Sequence, residues 1–289
     1  MRILLPMPGN EALAADLARL GGHRLGRIET RRFPDGESYL RLLDDVAGLD
    51  VELVASLARP DADFLALIFA ADAARDLGAA SVGLIAPYLA YMRQDIRFKS
   101  GEAISSRSFA RLLSSSFDRL LTIDPHLHRY PALDALYTMP AQALQAAPLL
   151  ADWIAAEVTA PLLVGPDAES EQWVAAVAAR AGAPHMVLQK VRHGDRNVAI
   201  TMPDLSAWRG HQPVLVDDIA SSGRTLIEAA QLLTGQGLPR PVCAVVHALF
   251  AEDAYAQLQA AASRIVSCDT VQHPSNAIPV ASLLAAALR

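Results

Sequence analysis

Asp217 and Asp218 stand side by side in "VLVDDIASSGRTL", between a run of strand-forming residues and a small polar loop that opens a helix. Adjacent carboxylates repel each other, so the pair calls for a partner. A helix start carrying Ser221, Ser222, Gly223, Arg224 and Thr225 offers free backbone N–H groups and a partial positive charge, which suit a phosphate. The carboxylates suit the opposite kind of partner, sugar hydroxyls or a hydrated Mg2+ ion. Together these residues read as a binding loop for a phosphorylated sugar. A capped helix with merely solvated aspartates is the weaker reading.

Other polar groups also follow apolar runs. Asp124, His126 and His128 come after "RLLTI". Two histidines two apart are a fragment of a zinc site, but a third and fourth ligand are not spaced for one. A role linked to Mg2+ or to nucleotide phosphates fits them better. Asp167 ends "PLLVGPD". Lys190 and Arg192 would project the same way from an extended segment. On residue types alone they read as an ordinary strand end. Asp35, Gly36 and Glu37 in "RRFPDGESYLRL" read alone as a turn between two strands. Arg93 and Gln94 in "APYLAYMRQDIRF" fit a plain polar loop as well as a phosphate- or adenine-binding one.

The elements that must position these residues alternate. "RILLPM" predicts a strand, followed by an Asn10-capped helix over "NEALAADLARLGG" that two glycines stop. The strand "VELVASL", the helix "DADFLALIFAADAARDLG", the strand "SVGLIAPYL", the helix "SSRSFARLLSSS" and the strand "RLLTIDPH" follow. After about Met139 the alternation restarts with a helix over "ALQAAPLLADWIAAEV". Next come "PLLVGPD", the helix "SEQWVAAVAARAG", "HMVLQKVR", "NVAITM", "QPVLVDDI", the helix "RTLIEAAQLLTGQG", "PVCAVVHALF", "RIVSCDT" and a last helix, "ASLLAAALR". Apolar strands between helices predict parallel sheets covered on both faces. The halves share this layout, which predicts an α/β chain of two doubly wound domains, residues 1–142 and 143–289, the last helix packing back on the first.

Composition narrows the function classes. The chain has 289 residues, 52% of them hydrophobic, and a net charge of −6, which argues against a nucleic-acid partner. Cys243 and Cys268 lie in apolar runs and read as buried free thiols. No apolar run approaches the ~20 residues needed to span a bilayer, so no membrane partner is expected. Acidic residues follow the short N-terminal apolar piece where a secretory cleavage site would fall. A cytoplasmic location is the expectation.

"VLVDDIASSGRTL" resembles the phosphoribosyl-pyrophosphate (PRPP) loop shared by phosphoribosyltransferases and ribose-phosphate pyrophosphokinases. Further stretches resemble the pyrophosphokinase branch: "RRFPDGESYLRL" its Phe-x-Asp-Gly-Glu motif, "APYLAYMRQDIRF" its Arg-Gln-Asp segment, "LLTIDPHLHRY" its metal-associated histidine, and "VRHGDRNVAI" its flexible catalytic loop. The late strands "VVHALFAEDA" and "VSCDTV" are similar too. The resemblance implies two phosphoribosyltransferase-type domains, each a mainly parallel sheet flanked by helices. It implies transfer of the β,γ-pyrophosphoryl group of ATP to the 1-hydroxyl of ribose 5-phosphate, giving PRPP and AMP, with Mg2+ as cofactor.

The resemblance also assigns roles. Phe33, Asp35, Glu37, Arg93, Gln94 and Asp95 fall at the ATP site, and Lys190 and Arg192 at the catalytic Lys-x-Arg positions. Asp217, Asp218, Ser221, Ser222, Gly223, Arg224 and Thr225 fall on the ribose-phosphate loop, and His126 and Asp167 at metal-associated positions. A homo-oligomer, dimer or hexamer, is implied, with the Phe33 loop reaching the ATP site of a neighbouring subunit. Two departures stand out. Ser222-Gly223-Arg224-Thr225 replaces the usual Thr-Gly-Gly-Thr, and Ala168-Glu169-Ser170-Glu171 replaces a glycine-rich stretch. The extra acids would repel a phosphate or help to hold a metal. Two rival readings follow: a phosphoribosyltransferase that consumes PRPP, and a non-catalytic regulatory homologue.

Overall fold

A computed structural model describes residues 1–127, 129–167, 170–193, 197–201 and 205–288; within these, the side chains of 172, 189–193, 197–201 and 206 are not described. The chain divides into two units, Met1–Gln145 with Ala281–Arg289, and Ala146–Val280.

The first unit opens with β1 (Arg2–Pro6), whose central residues are buried on both faces. α1 (Glu11–Gly21) buries the stripe Leu13, Ala14, Leu17 and Ala18, and Gly22 ends it in a left-handed turn at φ 66°. Asn10 stands at the cap, but its side chain does not cap. It accepts a bond from the Ser56 N–H and donates to the carbonyls of Met7 and Pro8, tying the helix start to the strand beside β1. β2 (Arg24–Leu25), β3 (Ile28–Arg32), β4 (Ser38–Leu42), β5 (Asp50–Val54), α2 (Pro60–Asp76), β6 (Ser81–Ala86), α3 (Ser105–Ser116), β7 (Arg119–Ile123) and β8 (Ala141–Leu144) follow. The main sheet runs β2-β1-β5-β6-β7-β8 with every described pairing parallel; β3 and β4 form a separate antiparallel hairpin.

In the second unit come α4 (Ala147–Glu157), β9 (Pro161–Gly165), α5 (Glu171–Ala181), β10 (His185–Val187), and the antiparallel hairpin of β11 (Gln189–His193) and β12 (Asn197–Thr201). β13 (Gln212–Ala220), α6 (Arg224–Gly235), β14 (Val242–Ala248), α7 (Ala254–Ala261), β15 (Arg264–Cys268) and β16 (Asn276–Ile278) complete it. Its sheet order, β10-β9-β13-β14-β15-β16, repeats that of the first unit, again with parallel pairings. Leu162, Val164, Leu215 and Val245 from the strands meet Leu226, Leu233 and Leu258 from α6 and α7 in its core, and Cys243 and Cys268 are buried free thiols. The last helix, α8 (Ala281–Ala287), belongs to the first unit and packs on α1.

The expected helix over "ALQAAPLLADWIAAEV" is two elements. Ala141–Leu144 pairs in parallel with β7 as the sheet edge, and helix begins only at Ala147, next to Pro148. Edge pairing is a long-range gain that local pattern does not report. α7, unforeseen, follows the strand "PVCAVVHA" after a five-residue loop.

One buried ion cluster crosses the first sheet. Glu52 on β5 is 1% exposed and lies 3.1 Å from the Arg2 guanidinium of β1. On its other side it accepts from Arg119 of β7 at 2.8 and 2.5 Å. β6 runs between β5 and β7, and the residue it presents there is Gly83, paired with both Glu52 and Arg119. Burial raises the Glu52 carboxyl above its ordinary range, and the two arginines offset only part of that. Arg2 also donates to the Leu288 carbonyl, fastening the C-terminal residues to the sheet.

A Cβ at Gly83 would strike the Glu52 carboxylate and come within 2.8 Å of the Arg119 Nε. Gly83→Ala is therefore expected to destabilise the first unit by about 1–3 kcal/mol, the usual cost of overpacking. Urea unfolding would register it as a lower midpoint at unchanged slope.

Candidate functional site

The polar loops gather at the carboxyl ends of the parallel strands. β13 runs on through both aspartates to Ala220, one residue past the expected strand end. Asp217 is held in register with Val245, and Ile219 with His247, on β14. Ladder hydrogen bonds therefore fix the acidic pair. The Ala220 carbonyl accepts from Leu249 and Phe250, and that of Ser221 from Ala251, which pins the loop to the segment after β14. Gly223 then turns at φ 66°, a left-handed conformation costly for any other residue type, and α6 starts at Arg224. Ser222 and Arg224 are exposed, Ser221 and Thr225 half-buried.

The Asp217 Oδ1 accepts from the Asp218 N–H at 3.0 Å. Asp217 is partly open to solvent, yet it lies deep among surrounding groups. Desolvation is the leading cause that pushes its carboxyl well above the ordinary range, followed by the like charges of Asp218 and Asp167. Asp167 follows β9, the strand beside β13. Burial, with a smaller push from the Asp217 charge, raises the Cys243 thiol to about 12 and keeps it protonated.

The Ser170 hydroxyl donates to the Asp167 carbonyl at 2.6 Å, and a Cβ at Gly165 would strike that hydroxyl. Ala168 and Glu169 lie outside the described residues. Lys190 and Arg192 fall on β11, paired with Ile200 and Val198 of β12, an arrangement that faces them the same way from the backbone. Their side chains are not among those described. His247 is buried; Thr270 gives its hydroxyl proton to the Val246 carbonyl, so its oxygen accepts from the His247 Nδ1–H at 2.9 Å.

In the first unit the β3–β4 hairpin carries Phe33, Asp35 and Glu37 on its exposed turn, the arrangement that residue types alone suggest. Gly36 has φ 93°, and the Asp35 carboxylate accepts from the Glu37 N–H at 3.2 Å. The Arg31 guanidinium lies over Phe33 and Tyr39, 4.6 and 4.1 Å from the ring centroids. Phe33 is 38% exposed, so a face remains available for stacking.

Arg93, Gln94 and Asp95 follow β6 on an anchored loop. Tyr91 adopts φ 60°, a region bulky residues avoid; its hydroxyl donates to Asp61 and its ring packs 4.8 Å from Phe109. Arg93 is exposed between buried Met92 and half-buried Gln94, whose side-chain carbonyl accepts from the Ser105 hydroxyl at 3.3 Å. Asp95 is 3% exposed and takes both oxygens to Arg129, at 2.8 and 3.0 Å. That carboxylate holds the loop in place. His126 is half-buried, just after β7; His128 lies outside the described residues. Among the described residues, no group of three or more His, Cys, Asp or Glu is arranged to hold a metal ion, and no helix is long and apolar enough to cross a membrane.

Residues 2–116 match the N-terminal domain of ribose phosphate pyrophosphokinase, and residues 132–282 match the phosphoribosyl transferase domain. The fold is similar to the crystal structure of phosphoribosylpyrophosphate synthetase from Mycobacterium smegmatis, with a TM-score of 0.86 at 23% identity, covering 100% of this chain and 97% of that one. Fold and site thus define a tandem protein of two phosphoribosyltransferase-type domains, each a parallel sheet flanked by helices. Curated relatives include the ribose-phosphate pyrophosphokinases of Methanosarcina acetivorans, 37% identical over 98% of this chain and 97% of its own length, and Methanothermobacter thermautotrophicus, 33% identical over 98% of each. The chain belongs to the ribose-phosphate pyrophosphokinase family.

Asp217→Asn removes one of three mutually repelling acids and is expected to stabilise the ligand-free protein by about 1 kcal/mol. A carboxyl whose pKa is raised on folding favours the folded state below its unfolded pKa and loses that contribution as pH rises through the raised value. The gain should therefore be larger at pH 8 than at pH 4.5, read from urea unfolding of both proteins at each pH.

Proposed function

We propose that this chain is a ribose-phosphate diphosphokinase, joining the β,γ-pyrophosphoryl group of ATP to the 1-hydroxyl of ribose 5-phosphate. The 1-oxygen bonds to the β-phosphorus, the bond from that phosphorus to the α,β-bridging oxygen breaks, and AMP leaves. The observation that carries this reading is the gathering of Asp217, Asp218 and Asp167 beside a loop that turns at Gly223 into the start of α6. Such a loop accepts a 5-phosphate on backbone N–H groups, while the acids accept hydrogen bonds from ribose hydroxyls.

Ser221, Ser222, Gly223, Arg224 and Thr225 form the phosphate cradle in this reading. Phe33 stacks on adenine, with its other face supported by Arg31, and Asp35 and Glu37 take the polar edge of the base. Arg93, Gln94 and His126 address the ATP phosphates from a loop that Asp95 holds through Arg129. Lys190 and Arg192 neutralise charge on the transferred group, where positioning and electrostatics supply most of the catalysis.

Magnesium fits the donor set. A carboxyl crowded as Asp217 is, and so holding its proton above the usual range, gains from a cation beside it. Mg2+ takes few protein ligands and completes its shell with water and phosphate oxygens. In the second unit, Asp217, Asp218 and Asp167 are proposed to meet it directly or through water; in the first unit, His126 is proposed as a separate metal-associated position. When bound, it would neutralise charge on the diphosphoryl group.

A homo-oligomer, with the Phe33 hairpin serving a neighbouring subunit, and a cytoplasmic location complete the proposal. Leu65 and Leu112, 61% and 46% exposed on α2 and α3, border one apolar hollow together with Phe64 and Phe109, a surface suited to self-association.

Phosphorus NMR of the protein with ATP, Mg2+ and ribose 5-phosphate tests the reaction. PRPP and AMP should appear in equal amounts, and Lys190→Ala should slow them about 100-fold, as for loss of one transition-state charge partner, at unchanged thermal stability. Appearance of ADP would mean a different phosphoryl transfer. Consumption of added PRPP without ATP would favour a phosphoribosyltransferase.

A further inference from the structure

The two units trace one path: strand, helix, edge strand, antiparallel hairpin, then four more parallel strands. Strand order reverses at the same place in both, between β1 and β5 and between β9 and β13. Ligands of open α/β sheets bind beyond the carboxyl ends of the strands at such a reversal. In the second unit that place carries Asp167 and the loop from Asp217 to Thr225. In the first unit it is a cavity of about 240 Å3.

Asn10, after β1, and Ser56 and Leu57, after β5, line one side of this cavity; Arg31 and Arg32, from the β3–β4 hairpin, line another. That hairpin occupies the same place in the chain path as the hairpin carrying Lys190 and Arg192. Arg32 donates to the carbonyls of Gly36 and Ala62, at 3.1 and 2.7 Å, and so joins the hairpin to the first turn of α2. The Arg31 guanidinium carbon lies over both Phe33 and Tyr39, whose rings stand at 88° to each other, and so holds its charge at the mouth of the hairpin.

The lining chemistry differs from that of the second unit. Ala55-Ser56-Leu57 follows β5 where the later unit has paired aspartates, so nothing there demands a cation. Asp63 is the acid of the lining, set against two arginines. Guanidinium groups favour oxyanions, phosphate above all, through paired N–H bonds. Leu57 and Leu67 offer an apolar wall for a carbon body. The volume is below the ~300 Å3 at which ordinary ligand pockets begin, too small to enclose a nucleotide.

We propose that this cavity binds a compact phosphate monoester, such as a sugar phosphate, without turning it over. It is a second anion site, in the unit that lacks the paired aspartates, and it stands whether or not the diphosphokinase reading holds.

Calorimetric titration of the full chain with ribose 5-phosphate, in the absence of ATP, tests it. Two sites per chain are expected. The double variant Asp217→Asn, Asp218→Asn should lose one and keep the other. In that background Arg31→Ala, and separately Ala66→Phe, which fills the cavity from α2, should weaken the remaining site at least tenfold, while Arg31→Lys should restore part of the loss. Circular dichroism would establish that each variant is folded. Inorganic phosphate should bind the remaining site at least tenfold more weakly than the sugar phosphate. Disappearance of all binding in the aspartate variant would overturn the proposal, as would residual binding indifferent to Arg31 and Ala66. Equal affinity for inorganic phosphate would overturn the monoester assignment.

Discussion

Parallel strands buried on both faces leave only their ends open, and this constraint governs everything the chain can present to a ligand. The run Val242–Ala248 is buried throughout, as are residues 162–165 of β9, because helices flank each sheet. Polar side chains that must meet a ligand are pushed to the carboxyl ends, where strands give way to loops. Asp167, the Asp217–Thr225 segment, Arg93 and His126 all fall there. The acidic pair is the sharpest case, since β13 keeps its ladder bonds as far as Ala220 and carries both charges within the pairing.

That placement is costly, and the cost is informative. A carboxyl surrounded by two others in a desolvated setting stores repulsion that a bound cation or a sugar diol relieves. The first sheet handles a buried acid differently. Glu52 is neutralised within the sheet by Arg2 and Arg119, and Gly83 supplies the space through which the pair connects across β6. One acid is matched by cations within its sheet; Asp217 at the end of the other is set against like charges.

The two hairpins extend the same plan. Each leaves its sheet after the second strand and carries the cationic or aromatic residues that parallel strands cannot expose. Arg31, Phe33 and Tyr39 form a preassembled stack on one. Lys190 and Arg192 share a backbone face on the other. The repeated path makes the first unit's reversal point the counterpart of the loop that follows β13.

Much of this was legible in the residues. Alternating apolar runs and helical stripes predicted most elements, because burial on both faces imposes near-continuous hydrophobicity on a parallel strand. The aspartate pair and its Gly223 loop carried the expectation of a phosphorylated-sugar site, since few other partners suit two acids beside a helix start. The sequence could not reveal that Ala141–Leu144 is a sheet edge, that Asn10 bonds to Ser56 instead of capping, or that Asp95 is held by Arg129. Nor could it reveal the Glu52–Arg119 bond across β6. Local pattern records which faces want burial; pairing between distant strands, and the charges that meet through them, exist only once the chain has folded.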